Sequence, residues 1–126
     1  MRKVNPDEIN ALAADILAEL AKMHQLESQI RRVQTELENN PNCADLLYEN
    51  FALKLHNFYT GCERIFQLFA TELNGGLPSG SDWHRRLLDR MKAEHEARPA
   101  VISAAMALKL QDYLGFRHVV RSLYPL

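Results

Sequence analysis

The stretch NPDEINALAADILAEL, residues 5–20, begins a long helix and sets the fold class of the chain. Asn5 is a candidate N-cap, because its side chain can accept a hydrogen bond from the first turn. Pro6 suits the first helical position, where no backbone N–H is needed. Asp7 and Glu8 follow in the first turn, where the helix dipole favours negative charge. These signals predict a helix that begins at about residue 6.

Apolar residues continue at seven-residue intervals far beyond this stretch, which is typical of a long helix that packs along one seam. Glu19 interrupts the seam, and the segment ENNPNC, residues 38–43, ends the helix with two asparagines and a proline. The seam suits an antiparallel helix of the same domain or a helix of another subunit, and we favour the first. Its members are Ile9, Ile16, Met23, Ile30 and Leu37, with Leu12, Leu26 and Val33 beside them.

The rest of the chain also has helical periodicity, and no segment alternates like a β-strand. We expect a second helix over about 45–73, a loop at 74–82, a third helix over 83–97 that Ser81 or Asp82 caps, and a last helix over 99–124. The chain is therefore predicted to form one domain, residues 1–126, an all-α up-and-down bundle of four to five helices with two long N-terminal helices. Apolar stripes are predicted at Phe51, Leu55, Phe58, Cys62, Ile65, Phe66, Phe69 and Leu73, and at Trp83, Leu87, Leu88 and Met91.

The composition describes an ordinary globular domain of 126 residues, with 47% hydrophobic and 25% charged residues. A formal net charge of -1 excludes a chain-wide basic field, so any contact with nucleic acid must come from a local patch. We find no apolar run that would serve as a signal peptide or a membrane span. Cys43 and Cys62 do not make a disulfide framework. We therefore expect a cytoplasmic protein whose two thiols are free and buried.

Polar groups gather on one face of the segment DYLGFRHVVRSLY, residues 112–124. Arg117, Arg121 and Tyr124 lie at i, i+4 and i+7 of the predicted helix, and Tyr113 extends this stripe by one turn. Two guanidinium groups one turn apart can form a clamp with many donors for phosphate oxygens. The alternative is structural: the arginines pair with acidic side chains of a neighbouring helix, and the tyrosine covers the core.

Other chemical constellations are weak. The five histidines include no pair at metal-ligand spacing on a helix, so we predict neither a metal site nor a cofactor. Cys62 lies on the aromatic stripe and is predicted to be a small core residue. Arg85, Arg86 and Arg90 form a basic patch on the third helix. Such a patch is usually solvated surface, although it could extend a path for RNA.

Four segments together resemble a known family. They are LHNFYTGCERIFQLFA (55–70), LPSGSDWHRRLLDRM (77–91), RPAVIS (98–103) and FRHVVRSLY (116–124). The chain is similar, over roughly residues 46–124, to the HepT-like branch of the HEPN superfamily. These proteins are small helical ribonuclease toxins, usually encoded beside a minimal nucleotidyltransferase that acts as antitoxin. The resemblance implies the same helical fold, a homodimer and the same kind of partner.

The resemblance also implies roles for residues of the last helix. The family motif is an arginine, four residues, a histidine, one residue and a tyrosine. Arg117 and Tyr124 match it, but Ser122 occupies the histidine position. In the family, RNA is cleaved without metal between two subunits: the 2′-hydroxyl attacks the phosphate, the histidine acts as acid or base and the arginine steadies the phosphate. A serine hydroxyl does not titrate near neutral pH, so His118 is the possible substitute, although it lies one turn, about 5.4 Å, away.

Tyr124 gives the resemblance a second implication, because the family's tyrosine is adenylylated by the partner nucleotidyltransferase. Three hypotheses therefore stay open. The first is an endoribonuclease scaffold of a toxin–antitoxin pair, whose activity is weak or lost and whose RNA contacts come from Arg117 and Arg121. The second is a non-catalytic partner of a nucleotidyltransferase that offers Tyr124 for docking and modification. The third is a structural bundle in which the arginines form salt bridges.

Overall fold

The computed structural model of the chain describes residues 5–94 and 98–123, with side chains described as far as residue 115. Four α-helices account for most of these residues, and no β-strand occurs among them. This confirms the predicted all-α bundle with two long N-terminal helices. None of the described helices combines the length and the apolar character needed to cross a bilayer. The helices are α1 (Pro6–Asn39), α2 (Ala44–Leu73), α3 (Trp83–Lys92) and α4 (Ala104–Leu123), with a short 3-10 turn at Pro41–Cys43.

The first helix begins as its sequence predicts. The Glu8 backbone N–H donates to Asn5 Oδ1 at 2.8 Å, and the Asn5 side-chain amide donates to Glu8 Oε1 at 3.1 Å. The pair thus forms a reciprocal cap with Pro6 at the first helical position. Every seam residue except Ile9, which is 50% exposed, is buried or half-buried. The heptad pattern was therefore a correct guide to the packed face of α1.

The partner of that face is α2, so the seam packs within the domain as favoured. Gly61 lets the two helices approach closely, because a Cβ atom at this position would lie 2.9 Å from Met23 Cγ. Glu19, the polar residue in the seam, is half-buried and faces α2. Its carboxylate lies 3.8 Å from Arg64 Nη1 of α2 and 3.6 Å from Lys22 Nζ. The interruption in the seam is thus an ion pair between the helices.

The core lies where α2, α3 and α4 meet. Its fully packed members come from α2 and α3, and residues of the connection to α4 and of α4 itself pack against them. Three of the eight residues of the stripe predicted for α2, Cys62, Phe66 and Phe69, belong to this cluster, and the buried Tyr59, only 1% exposed, was missed. The cluster contains Phe66, Ala70, Leu87, Leu88 and Met91, with Cys62, Phe69, Trp83, Val101, Ile102 and Leu110 packed against it.

The loop 74–82 returns alongside α3, held by two arginines of that helix. Arg86 Nη1 donates to the Ser79 carbonyl at 3.0 Å, and Arg90 Nη1 donates to the Gly76 carbonyl at 3.1 Å. Gly76 has a φ of 140°, which L-residues rarely adopt. Asp82 is the residue before α3, but its side chain makes no capping hydrogen bond. It lies 3.4 Å from Arg86 Nε instead, so the predicted cap is wrong in its chemistry.

Two helix boundaries differ from prediction. The third helix was expected to reach residue 97, but α3 ends at Lys92 and Ala93 has an extended backbone; residues 95–97 lie outside the described part. The last helix was expected from residue 99 but begins at Ala104. The Val101 and Ile102 N–H groups donate to the Met91 carbonyl at 2.8 and 3.2 Å, so tertiary hydrogen bonds replace helical ones there. Ser103 Oγ then accepts from the Met106 N–H at 3.0 Å and caps α4.

The two cysteines are both free but differ in exposure. Cys62 packs against the core, as predicted, whereas Cys43 is exposed in the turn between α1 and α2, which corrects the expectation that both thiols are buried. Burial, and secondarily the charge of Glu63, raises the pKa of the Cys62 thiol to about 11.

This difference predicts selective alkylation of the native protein. At pH 8 only about one in a thousand Cys62 thiols is ionised, and the thiolate is the reactive form. Iodoacetamide should therefore modify Cys43 and leave Cys62 intact, as peptide mass spectrometry would report. In denaturant both should react at similar rates. Equal modification of the two residues in the native protein would contradict the burial of Cys62.

Candidate functional site

The sequence-predicted site residues lie at the C-terminal end of α4. Its helical backbone continues through Arg117, His118, Arg121 and Ser122 and ends at Leu123. Their side chains lie outside the described residues, and Tyr124 lies outside them altogether. The arginine clamp for phosphate, the possible role of His118 and the exposure of the tyrosine hydroxyl therefore stay predictions.

Helix α4 is fixed against α2 by contacts just before this segment. The rings of Tyr59 and Tyr113 stack with centroids 5.4 Å apart and an angle of 22° between their planes. Leu110, one turn earlier on α4, packs against the cluster around Phe66 and Ala70. Residue numbers rise along α4 from Leu110 to Tyr113, whereas those of the residues they contact on α2 fall from Phe66 to Tyr59. The two helices are therefore antiparallel. The Arg117 backbone thus lies one turn beyond a well-packed aromatic contact.

A buried carboxylate meets a histidine between α2 and α3. Glu63, with its side chain 7% exposed, forms a hydrogen bond through Oε2 with Nδ1 of His84, whose side chain is 26% exposed. The Trp83 ring lies beside the imidazole, with a centroid separation of 3.6 Å. A carboxylate only accepts hydrogen bonds, so Nδ1 carries the proton and donates it. No group of three metal-ligating side chains occurs within the described residues, so none of those residues joins this pair in a metal-binding cluster.

An open groove of about 380 Å³ lies beside this histidine. One wall comes from α3 and the loop before it, and the other comes from α4. Arg85 contributes a cation to the groove, and across the described part of the chain no carboxylate lies within ion-pair distance of it. The lining residues are Ser81, Asp82, His84 and Arg85 on one side and Gln111, Leu114 and Gly115 on the other.

The wall formed by α4 follows one face of that helix. Gln111 and Gly115 are separated by four residues, and positions 118 and 122 continue the series at intervals of three and four. Residues at these intervals share a face of an α-helix. The positions of His118 and Ser122 therefore lie on the helix face that lines the groove, one and two turns beyond its described wall. The position where the family motif has its histidine falls on this face.

The predicted basic patch of α3 divides into two parts. Arg86 and Arg90 fasten the preceding loop through its carbonyls, so their guanidinium groups are already engaged. Arg85 lines the groove. Of the three arginines, this one has the position expected for a contact with a phosphate.

Sequence reasoning missed Glu63 and His84 as a pair. The signal for Glu63 was available: it is a charged residue among apolar positions of α2, between Cys62 and Ile65, and it follows the buried Tyr59 by one turn. An acidic residue on a buried helix face needs a partner. Nothing in the sequence identified that partner, because His84 is 21 residues away and the loop between them sets the register.

Comparison with known proteins adds a family. The family model described as "HepT-like protein" matches residues 50–126, which is more than half of the chain. The match covers most of α2 together with α3 and α4, and thus every residue of the groove and of the predicted motif. Neither a curated protein nor a solved structure gave a significant match. The chain therefore belongs to the HepT-like protein family.

Proposed function

We propose that the protein is a HepT-like HEPN member of a toxin–antitoxin pair, built as a scaffold for metal-independent RNA cleavage. Because Ser122 occupies the histidine position of the motif, its activity is weak or lost. The observation that carries the proposal is the family match over residues 50–126, which includes both the groove and the motif. The absence of a spanning helix in the described residues is compatible with action in the cytoplasm.

The groove supports this proposal through its chemistry. It is open, so a polymer could pass along it, and it offers Arg85 as a cation without a described ion pair. The backbone of α4 continues beyond its wall through positions 117 and 121, which lie on the stripe of Tyr113 next to the groove face of 118 and 122, and we expect their two guanidinium groups to bind phosphate oxygens there. These arginines are separated by one turn, a spacing that suits one bridging phosphate.

The proposal includes a homodimer. One groove bordered by two helices leaves the scissile phosphate open to solvent on one side, and a second copy of α4 would close that side. Two copies of Arg117 would then supply charge from both directions. Positive charges on both sides of the phosphate would stabilise the negative charge that develops in the transition state.

The test of the proposal is RNA cleavage by the purified full chain in the presence of a chelator, beside its Ser122→His variant. Product ends identify the reaction, since attack by the 2′-hydroxyl leaves a 2′,3′-cyclic phosphate and a 5′-hydroxyl. Failure of both proteins to cleave any RNA would overturn the catalytic proposal.

The second candidate function is that of a non-catalytic partner of a nucleotidyltransferase. Ser122 favours it, because a chain without the motif's histidine can keep the binding surface while losing the reaction. Family members are usually paired with such an enzyme as antitoxin. Tyr124 would be the site of docking and modification, next to the arginines that would hold the added phosphate.

This candidate predicts that a minimal nucleotidyltransferase of the kind with which the family is paired adds adenylate to Tyr124 when ATP is supplied. Arg121 precedes this residue by three positions and Arg117 by seven, so both cations belong to the same helical stripe and can bond the new phosphate. Intact-mass measurement before and after incubation should show the addition. Tyr113→Phe is the matched control and should still be modified. An addition that survives in Tyr124→Phe, or no addition at all, would refute the assignment.

A further inference from the structure

We propose that His84, held by Glu63, is the imidazole that acts as general base for RNA cleavage in this protein. The inference rests on the proposed function, and it assigns to α3 the role that the family motif assigns to position 122 of α4. It would supply an imidazole base to a chain that carries serine at that position. The juxtaposition that carries it is a buried carboxylate, an oriented imidazole and a groove with an α4 wall on the helix face to which positions 118 and 122 belong.

The hydrogen bond between Glu63 and His84 sets the tautomer of the imidazole. Glu63 accepts the proton of Nδ1, so Nε2 is the ring nitrogen with a lone pair available to take a proton. The carboxylate is buried and cannot rotate away into solvent, and the Trp83 ring restricts the imidazole from one side. A base oriented by a buried carboxylate is the arrangement that activates hydroxyl nucleophiles in many unrelated enzymes.

The position of His84 is suited to the same reaction. Its ring borders the groove opposite the α4 wall of Gln111, Leu114 and Gly115, and is partly open to solvent. Arg85, the next residue, borders the same groove and can neutralise a phosphate placed there. An imidazole and a guanidinium on one wall are the two groups that the reaction needs.

The chemical step balances without metal or cofactor. His84 Nε2 accepts the proton of the 2′-hydroxyl while its oxygen forms a bond to the adjacent phosphorus. The bond from phosphorus to the 5′-oxygen breaks, and that oxygen takes a proton from solvent water, which reaches the open groove. The products are a 2′,3′-cyclic phosphate and a 5′-hydroxyl, and the imidazolium returns its proton to solvent. Arg85 stabilises the charge that develops on the phosphate oxygens.

A purely structural role for the pair is the competing explanation, since a buried carboxylate requires a partner in any case. The two explanations differ in what a glutamine at position 84 does. A glutamine amide donates a hydrogen bond to Glu63 but cannot accept a proton near neutral pH. His84→Gln removes the base and leaves an amide donor, and His84→Asn, whose Nδ2 is as many bonds from Cβ as Nδ1 of histidine, is the closer mimic of the contact with Glu63.

The experiment measures kcat and KM for cleavage of an end-labelled RNA oligonucleotide in chelator, with wild type, His84→Gln, Ser122→His and the double variant. His24→Ala, which removes an exposed imidazole of α1, is the control. His84→Gln should lower kcat by about 100-fold or more, since that is what a positioned base contributes, with KM and the melting temperature unchanged. The control should cleave like wild type.

Glu63 is a positioning residue. Its test therefore needs a measurement that would stay unchanged if Glu63 only stabilised the fold. Imidazole ¹⁵N signals should show the Nδ1-protonated tautomer of His84 in wild type and a mixture in Glu63→Gln. That variant should also lose kcat with little change in KM. An unchanged tautomer in Glu63→Gln would count against the assigned orientation.

The remaining outcomes separate the two proposals. If wild type and His84→Gln cleave equally, or if only Ser122→His cleaves, the role of His84 is overturned and the proposed function stands. His84→Gln could both melt at a lower temperature and lose kcat. In that case His84→Asn, which also donates to Glu63, distinguishes the two roles. If this variant recovers kcat together with stability, the role of His84 is structural. If no protein in the series cleaves, both proposals fail.

Discussion

Ser122→His is expected to raise the rate of RNA cleavage at least tenfold over the wild-type chain, in chelator and at neutral pH. A positioned acid–base group contributes a factor of about 10² to 10⁴ to the rate. We expect a smaller minimum increase, because His84 already supplies one base. The new imidazole lies on the helix face that continues the groove wall of Gln111 and Gly115. It would add a general acid for the leaving 5′-oxygen, a role that water otherwise fills.

The design separates a restored motif from a general effect of an added histidine. Lys109→His places an imidazole at an exposed position on the side of the same helix away from the groove face, and it should cleave RNA at the wild-type rate. His118→Ala in the Ser122→His background tests whether the neighbouring imidazole takes part. A wild-type chain that cleaves as fast as Ser122→His would show that the serine does not mark an altered site.

The long helices could be predicted from the sequence because their signals are local. The N-cap of α1, its heptad seam and the asparagine–proline break placed Pro6–Asn39 correctly, and the apolar spacing placed α2 within one residue. In such segments one face is buried over many turns, so periodicity and tertiary packing agree. Short segments between packed helices lack this agreement.

The boundaries of α3 and α4 failed for that reason. The sequence after Lys92 is typical of a continuing helix. However, the Arg98 guanidinium donates hydrogen bonds to the carbonyls of Arg90 and Ala93. The Met91 carbonyl accepts hydrogen bonds from the N–H groups of Val101 and Ile102. These hydrogen bonds join residues of different elements and cannot be inferred from spacing. Tertiary context therefore overrides propensity here.

The candidate site divides in the same way. The motif on α4 could be read from one helix, since its members are a few residues apart. The Glu63–His84 pair depends on how the loop 74–82 sets α3 against α2, and Arg86 and Arg90 hold that loop. Two arginines of the predicted basic patch, Arg86 and Arg90, thus bind carbonyls of the loop, and the third, Arg85, lines the groove.

Arg98→Ala is expected to destabilise the domain by about 3 kcal/mol, the largest loss of stability we predict for a single residue. Arg98 is 8% exposed, and burial lowers the pKa of its guanidinium. Its Nε donates to Asn74 Oδ1 at 3.1 Å, beyond the end of α2, and its Nη2 donates to the Arg90 carbonyl at 3.0 Å. Nη1 donates to the carbonyls of Ala93 and Pro99, both at 3.0 Å.

These four bonds fasten the ends of α2 and α3 to the segment that leads into α4. The Arg90 carbonyl in the last turn of α3 accepts from the Ala93 N–H at 3.3 Å, and Arg98 supplies it with a second, charged donor. A hydrogen bond that involves a charged group contributes about 1.5 to 3 kcal/mol, but solvent will reach some of the acceptors once the side chain is removed. We therefore expect about 3 kcal/mol, well below the sum of four such bonds.

Thermal and urea unfolding at fixed protein concentration measure this effect, and a loss of about 3 kcal/mol corresponds to a melting temperature roughly 10 °C lower. Arg98→Lys should recover only part of the stability, because one ammonium cannot match the planar fork that reaches acceptors on both sides. Arg85→Ala, which removes an exposed arginine from the same helix pair, is the matched control and should change stability by less than about 0.5 kcal/mol. If Arg98→Ala and Arg85→Ala unfolded alike, the hydrogen bonds of Arg98 would not be what holds the ends of α2 and α3 together.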